Sequence, residues 1–135
     1  MEETIQSVVL QGVVIHGKGV GGPSGFPTAN LELEPGEHLP RQGVYASFAE
    51  MDGRRFVGVT NIGTRPTVDS SPVVTVETWF PDYQGDLYGR ELRLTLTGFL
   101  REIRRFENLG ELKAQIDRDS EEARRLLDEW KTEEK

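Results

Sequence analysis

Up to about residue 100 the apolar residues recur in short, β-branched runs divided by turn residues, and nothing between the runs keeps helical spacing. The runs are Val8-Val9-Leu10, Val13-Val14-Ile15, Ala29 to Leu33, Gly43 to Phe48, Arg55 to Thr60, Val73 to Phe80 and Glu91 to Thr97. In the last of them Leu92, Leu94 and Leu96 alternate with Glu91, Arg93, Thr95 and Thr97, the period of two that marks a half-buried strand. Asp52-Gly53 separates two runs and is a strong hairpin signal. Six or so short strands without intervening helices predict a mainly β body, an antiparallel sandwich or barrel.

At Leu109 the period changes. Leu112, Ile116, Ala123, Leu126, Leu127 and Trp130 fall near helical spacing, and Asn108 with Glu111 three residues on approximates a capping box. The spacing predicts a helix over about 109–131 that lays its apolar stripe on a barrel spanning about 8–100, because packing supplies most of a helix's stability. Its charge runs, Asp117-Arg118-Asp119 and Glu121-Glu122, read as a solvated face. The 15 glycines and seven prolines lie mostly before residue 90, which divides a β body from a helical tail within a single domain.

Composition removes several chemistries. With no cysteine, disulfides, thiolate metal sites and a cysteine nucleophile are excluded. Two histidines, His16 and His38, are too few for a multi-histidine centre. A net charge of −7 suits no sequence-independent binder of nucleic acid. No apolar run approaches the ~20 residues of a membrane span, and Met1-Glu2-Glu3-Thr4 is acidic where a signal peptide is basic. The expectation is a cytoplasmic domain acting on a small substrate.

Four stretches can carry chemistry. Between His16 and Asn30, five glycines in nine positions follow a strand, a composition that lets backbone N–H groups crowd round an anion or simply makes a turn. No Gly-Lys-Ser/Thr follows, so this is no Walker loop, and Pro27 blocks the helix a dinucleotide fingerprint needs. Thr28 and Asn30, two apart on an extended segment, share a face, and their neutral oxygens suit magnesium bridged by phosphates. Gly58 to Thr67 reads as a strand running into a loop. Glu77 is an acid inside an apolar run, costly if buried unpaired, so it faces solvent or sits in a pocket with a job. Gly98 to Leu109 joins the last strand to the helix, where Arg101 and Phe106 either wall a pocket for a planar ring or fasten the helix to the barrel.

Together these stretches resemble the riboflavin kinase family. The matching pieces are Gly25-Phe26-Pro27-Thr28-Ala29-Asn30, Gly43-Val44-Tyr45, Val59 to Thr67, Val76-Glu77, Asp86-Leu87-Tyr88-Gly89, Gly98-Phe99-Leu100-Arg101 and Phe106, in that order. The resemblance covers about residues 8 to 127. It implies a six-stranded antiparallel, Greek-key-like barrel with a C-terminal α-helix packed on it. It implies transfer of the γ-phosphate of ATP to the 5′-hydroxyl of riboflavin, giving FMN and ADP, with Mg2+ or Zn2+ as cofactor. By position it makes Glu77 the catalytic base and Thr28 and Asn30 the metal ligands. Gly17, Lys18, Gly19, Gly21, Gly25, Thr28 and Tyr88 then belong to the ATP side, and Arg101, Phe106 and Leu109 to the flavin side. Where the family often has arginine beside the loop glycines this chain has Val20 and Gly22, leaving Lys18 to supply positive charge. Many bacterial members also carry an FMN adenylyltransferase domain, so the chain is either a free-standing kinase or a kinase module of a longer parent. A non-catalytic flavin-binding or regulatory barrel is the alternative, and retained Glu77, Thr28 and Asn30 argue against it.

Overall fold

In the computed structural model, residues 8–15, 28–33, 39–66 and 72–133 are described. Six strands, β1 (Val8–Ile15), β2 (Ala29–Leu33), β3 (Gly43–Met51), β4 (Arg54–Pro66), β5 (Pro72–Trp79) and β6 (Glu91–Arg101), precede one helix, α1 (Leu109–Glu133). The strands close into a barrel in the order β1-β2-β5-β4-β3-β6, every neighbouring pair antiparallel. β3, β4 and β5 form a meander, while β6 returns to lie between β1 and β3, which is the Greek-key character expected.

The β3–β4 hairpin turns on Asp52 and Gly53, both at positive φ (56° and 78°), with Met51 opposite Arg54. That is the two-residue primed turn whose twist matches the strands. β4 runs on through Asn61 to Pro66, where the sequence read as a loop, because its pairing with β5 extends from Val59↔Trp79 to Pro66↔Pro72. Likewise β6 continues to Arg101, paired with Val44, across two register shifts that bend the strand.

Two apolar layers result. Inside the barrel pack Leu10, Val14, Leu31, Tyr45, Phe56, Ile62, Val76, Leu92, Leu94 and Leu96. Outside it, Val44, Ala46, Phe48, Val57 and Val59 meet Ala123 and Leu127 of α1, flanked by Trp79, Leu100, Leu126 and Trp130. β3 is therefore buried on both faces, one against the core and one against the helix. Asn108 caps α1: its Oδ1 accepts from the Glu111 N–H at 2.9 Å, and Glu111 Oε1 accepts from the Glu107 N–H at 3.3 Å. The reciprocal bond lands one residue before the cap. Among the described residues no helix is long and apolar enough to cross a membrane.

Candidate active site

β5 alternates. Val76, Thr78 and Phe80 are buried in the barrel, whereas Glu77 and Trp79 point outward and are only partly buried. β2 does the same, burying Ala29 and Leu31 and leaving Thr28 and Asn30 partly exposed. The shared face expected of Thr28 and Asn30 is thus the outer one. In register, Asn30 lies opposite Glu77 across the β2–β5 pair, and Asn61 lies opposite Glu77 across the β4–β5 pair. The acid that the sequence placed in an apolar run is flanked by two carboxamides on the barrel's outer surface.

Two cavities open on either side of this row. The larger, about 520 Å³, is lined by Val14, Thr28, Asn30, Thr78, Trp79 and the 80–88 connection, including Tyr88. That connection is held in shape by Gly89 N–H to Val14 C=O at 2.9 Å, Val14 N–H to Arg90 C=O at 2.9 Å and buried Leu87. The smaller, about 230 Å³, lies between the barrel and α1 and is lined by Glu77, Asn61, Val44, Val59, Arg101, Phe106 and helix residues Leu112, Ile116 and Asp119, with Thr28 and Trp79 again at its edge. Thr28 and Trp79 border both cavities. A group in the larger cavity and one in the smaller can therefore meet at Thr28.

The residues expected on the flavin side separate. Arg101 and Phe106 line the smaller cavity. Leu109 lines neither; it is the exposed first residue of α1, and Leu112 and Ile116 form the helix wall instead. The Arg101 guanidinium is already engaged. Its Nε donates to both Asp119 oxygens at 3.2 and 3.1 Å, its Nη2 donates to Oδ2 at 2.8 Å, and Gln115 Nε2 donates to Asp119 Oδ1 at 3.0 Å. Asp119, expected on a solvated face, is instead buried beneath this clamp. Arg101 thus walls the pocket and also ties β6 to α1, both roles left open by the sequence. Arg104 and Arg101 stack over Phe106 with centroid distances of 4.7 and 5.6 Å. Gly17, Lys18, Gly19, Gly21 and Gly25 lie outside the described residues.

Asn61, Trp79, Arg104 and Asp119 were not singled out by the sequence. Asn61 has a signal in hindsight: it is the polar member of the alternation Thr60-Asn61-Ile62, in which Thr60 and Ile62 are buried. Among the described residues no cluster of three or more His, Cys, Asp or Glu side chains can hold a metal ion. The oxygens available at the junction, from Thr28, Asn30 and Glu77, are hard donors that fit magnesium arriving on phosphates better than zinc, which favours nitrogen and sulfur.

The architecture is a closed six-stranded barrel with one helix packed on it, and two cavities share a border at Thr28 and Trp79. The family model described as Flavokinase, riboflavin kinase, matches residues 4–127, and the chain belongs to that family. It is 38% identical over 111 residues to the RNA-binding riboflavin kinase RibR of Bacillus subtilis, covering 82% of this chain and 47% of that protein. It is 42% identical over 119 residues to the bifunctional riboflavin kinase/FMN adenylyltransferase of Escherichia coli, covering 87% of this chain and 37% of that protein. The chain thus spans less than half the length of these relatives. The riboflavin kinase structure from Trypanosoma brucei shares the fold, with a TM-score of 0.68 at 23% identity over 93% of this chain and 83% of that one.

Proposed function

We propose that the barrel and α1 act as one kinase unit that transfers the γ-phosphate of ATP to the riboflavin 5′-hydroxyl. The observation that carries this reading is the shared border of the two cavities at Thr28, with Glu77 and Asn30 in register beside it. The larger cavity takes the nucleotide, with Tyr88 on its rim. The smaller takes the flavin, its ring among Val44, Phe106, Leu112 and Ile116 and its reacting hydroxyl at Glu77.

Phosphoryl transfer asks the protein mainly for in-line positioning and for stabilisation of charge. Thr28 and Asn30 are the residues that would hold a magnesium ion, whose chemistry when bound is to neutralise the terminal phosphates. Glu77 accepts the proton of the attacking hydroxyl, a contribution of roughly 10²–10⁴-fold. The Asp119 clamp matters here, because a guanidinium bonded to Asp119 is not available to pair with Glu77.

Incubation with riboflavin, ATP and Mg2+, read by chromatography, tests the proposal. FMN and ADP should appear in equal amounts. Binding of riboflavin without product would instead establish a flavin-binding barrel.

A further inference from the structure

A single row of residues crosses five of the six strands on the outer face. Asn30 on β2 lies opposite Glu77 on β5, Glu77 opposite Asn61 on β4, Asn61 opposite Val44 on β3, and Val44 opposite Arg101 on β6. From Glu77 onward every member of this row lines the smaller cavity. Neighbouring strands are ~4.8 Å apart, so the row is a ruler laid along the cavity floor. Its Asn30, Glu77 and Asn61 positions are polar; next comes Val44, beside which Phe106, Leu112 and Ile116 give the cavity an apolar and aromatic part, and the row ends at Arg101, whose guanidinium is held by Asp119.

We infer that Asn61 is a specificity-determining residue that reads an inner hydroxyl of the substrate's polyol tail. The inference rests on the riboflavin reading above and extends it. A riboflavin molecule with its terminal hydroxyl at Glu77 and its ring at the apolar part must run its polyol chain past the next position of the ruler, which is Asn61.

Three observations support the assignment. Asn61 is exposed and, among the described residues, no hydrogen bond or ion pair ties its carboxamide elsewhere. Its backbone is fixed by pairing on both sides, opposite Val44 and Glu77, so the side chain starts from a rigid position. Gly63, next on the same face, keeps the adjoining space narrow but open: a Cβ there would stand 3.3 Å from Ile103 Cδ1 and 3.7 Å from Asn61 Oδ1. A carboxamide also suits the ligand, because it donates and accepts as each polyol hydroxyl does. A charged residue beside Glu77 would either neutralise the base or repel it.

The test compares riboflavin with analogues that lack the 3′- or the 4′-hydroxyl but keep the 5′-hydroxyl, in the parent and in Asn61→Ala. One net hydrogen bond corresponds to roughly a tenfold effect. In the parent, one of the deoxy analogues should have a KM about tenfold above that of riboflavin. In Asn61→Ala the KM for riboflavin should rise about tenfold, kcat should stay within about threefold, and the discrimination against that analogue should vanish. Full discrimination retained by Asn61→Ala overturns the inference, as does a fall in kcat at unchanged KM. Should the parent form no FMN, the phosphorylation reading fails by itself. Riboflavin affinity measured by flavin fluorescence then still tests Asn61, whose truncation must weaken binding about tenfold for the inference to stand.

Discussion

β5 serves two environments at once, and they follow different rules. Its inward residue Thr78 ends a chain of buried hydroxyls, with Ser47 to Thr60 and Thr60 to Thr78 each at 2.8 Å. Its outward residue Glu77 has no hydrogen-bond or ion-pair partner among the described residues. Inside the barrel an unpaired polar group costs about 1–3 kcal/mol, so the hydroxyls satisfy one another. In the smaller cavity the polar groups of Glu77 and Asn61 carry no such bond among the described residues. The clamp between Arg101 and Asp119 lies at the far side of that cavity and is satisfied like the interior. The inner face holds the satisfied hydroxyl chain, whereas the outer face carries both a satisfied clamp and helix packing and, beside them, the carboxylate of Glu77, unbonded among the described residues.

The largest structural effect should come from breaking the clamp. Asp119→Ala leaves the Arg101 guanidinium without its carboxylate, with 20% of the Arg101 side chain exposed. The expected loss is about 3 kcal/mol in urea denaturation, the low end for a disrupted buried pair because Arg101 can reach solvent. A loss below about 1 kcal/mol would show that the pair behaves as a surface salt bridge.

A smaller effect should follow from crowding the interior. A Cβ at Gly58 would stand 2.8 Å from both Ser47 Oγ and Thr78 Cγ2 and 3.1 Å from Phe80 Cε1. Gly58→Ala should therefore cost about 1–3 kcal/mol as overpacking. An unchanged denaturation midpoint would mean that the hydroxyl chain yields freely and is not a fixed part of the core. The smallest effect belongs to the helix cap. Asn108→Ala should cost about 1 kcal/mol and Asn108→Asp only a few tenths, read from the same unfolding curves. Equal losses for the two would assign the cap's role to something other than its side-chain oxygen.

Much of the fold was legible because alternation and turn chemistry are local. The Asp52-Gly53 hairpin, the Leu92-Leu94-Leu96 face and the Asn108 cap each depend on neighbours in sequence. The extension of β4 to Pro66 was not legible, since Asn61, Gly63 and Pro66 are turn-favouring residues that interrupt the β-branched Ile62 and Thr64, and pairing with β5 makes the stretch a strand. The burial of Asp119 was hidden for a similar reason: its partner Arg101 is 18 residues away, and a charge run looks the same whether solvated or clamped. For the site, Thr28 and Asn30 were read from spacing and Glu77 from its place in an apolar run, with their roles given by the family resemblance; the register puts Asn30 directly opposite Glu77, and Thr28 borders both cavities. Asn61 escaped because its place beside Glu77 comes from strand pairing and not from its neighbours in sequence. Leu109 was placed by the resemblance on the flavin side; it is the exposed first residue of α1, and the helix residues that line the smaller cavity are Leu112, Ile116 and Asp119.

The central claim is that the outer-face carboxylate at the meeting point of the two cavities takes the proton of the substrate hydroxyl. Glu77→Gln keeps the shape and hydrogen-bonding capacity of that side chain and removes its basicity. Steady-state kinetics of FMN formation should show kcat lowered by roughly 10²-fold or more. Riboflavin affinity by fluorescence and the thermal midpoint should stay at parental values, because Glu77 is only partly buried and bears no structural bond among the described residues. A folded Glu77→Gln enzyme turning over at close to the parental kcat would contradict the account.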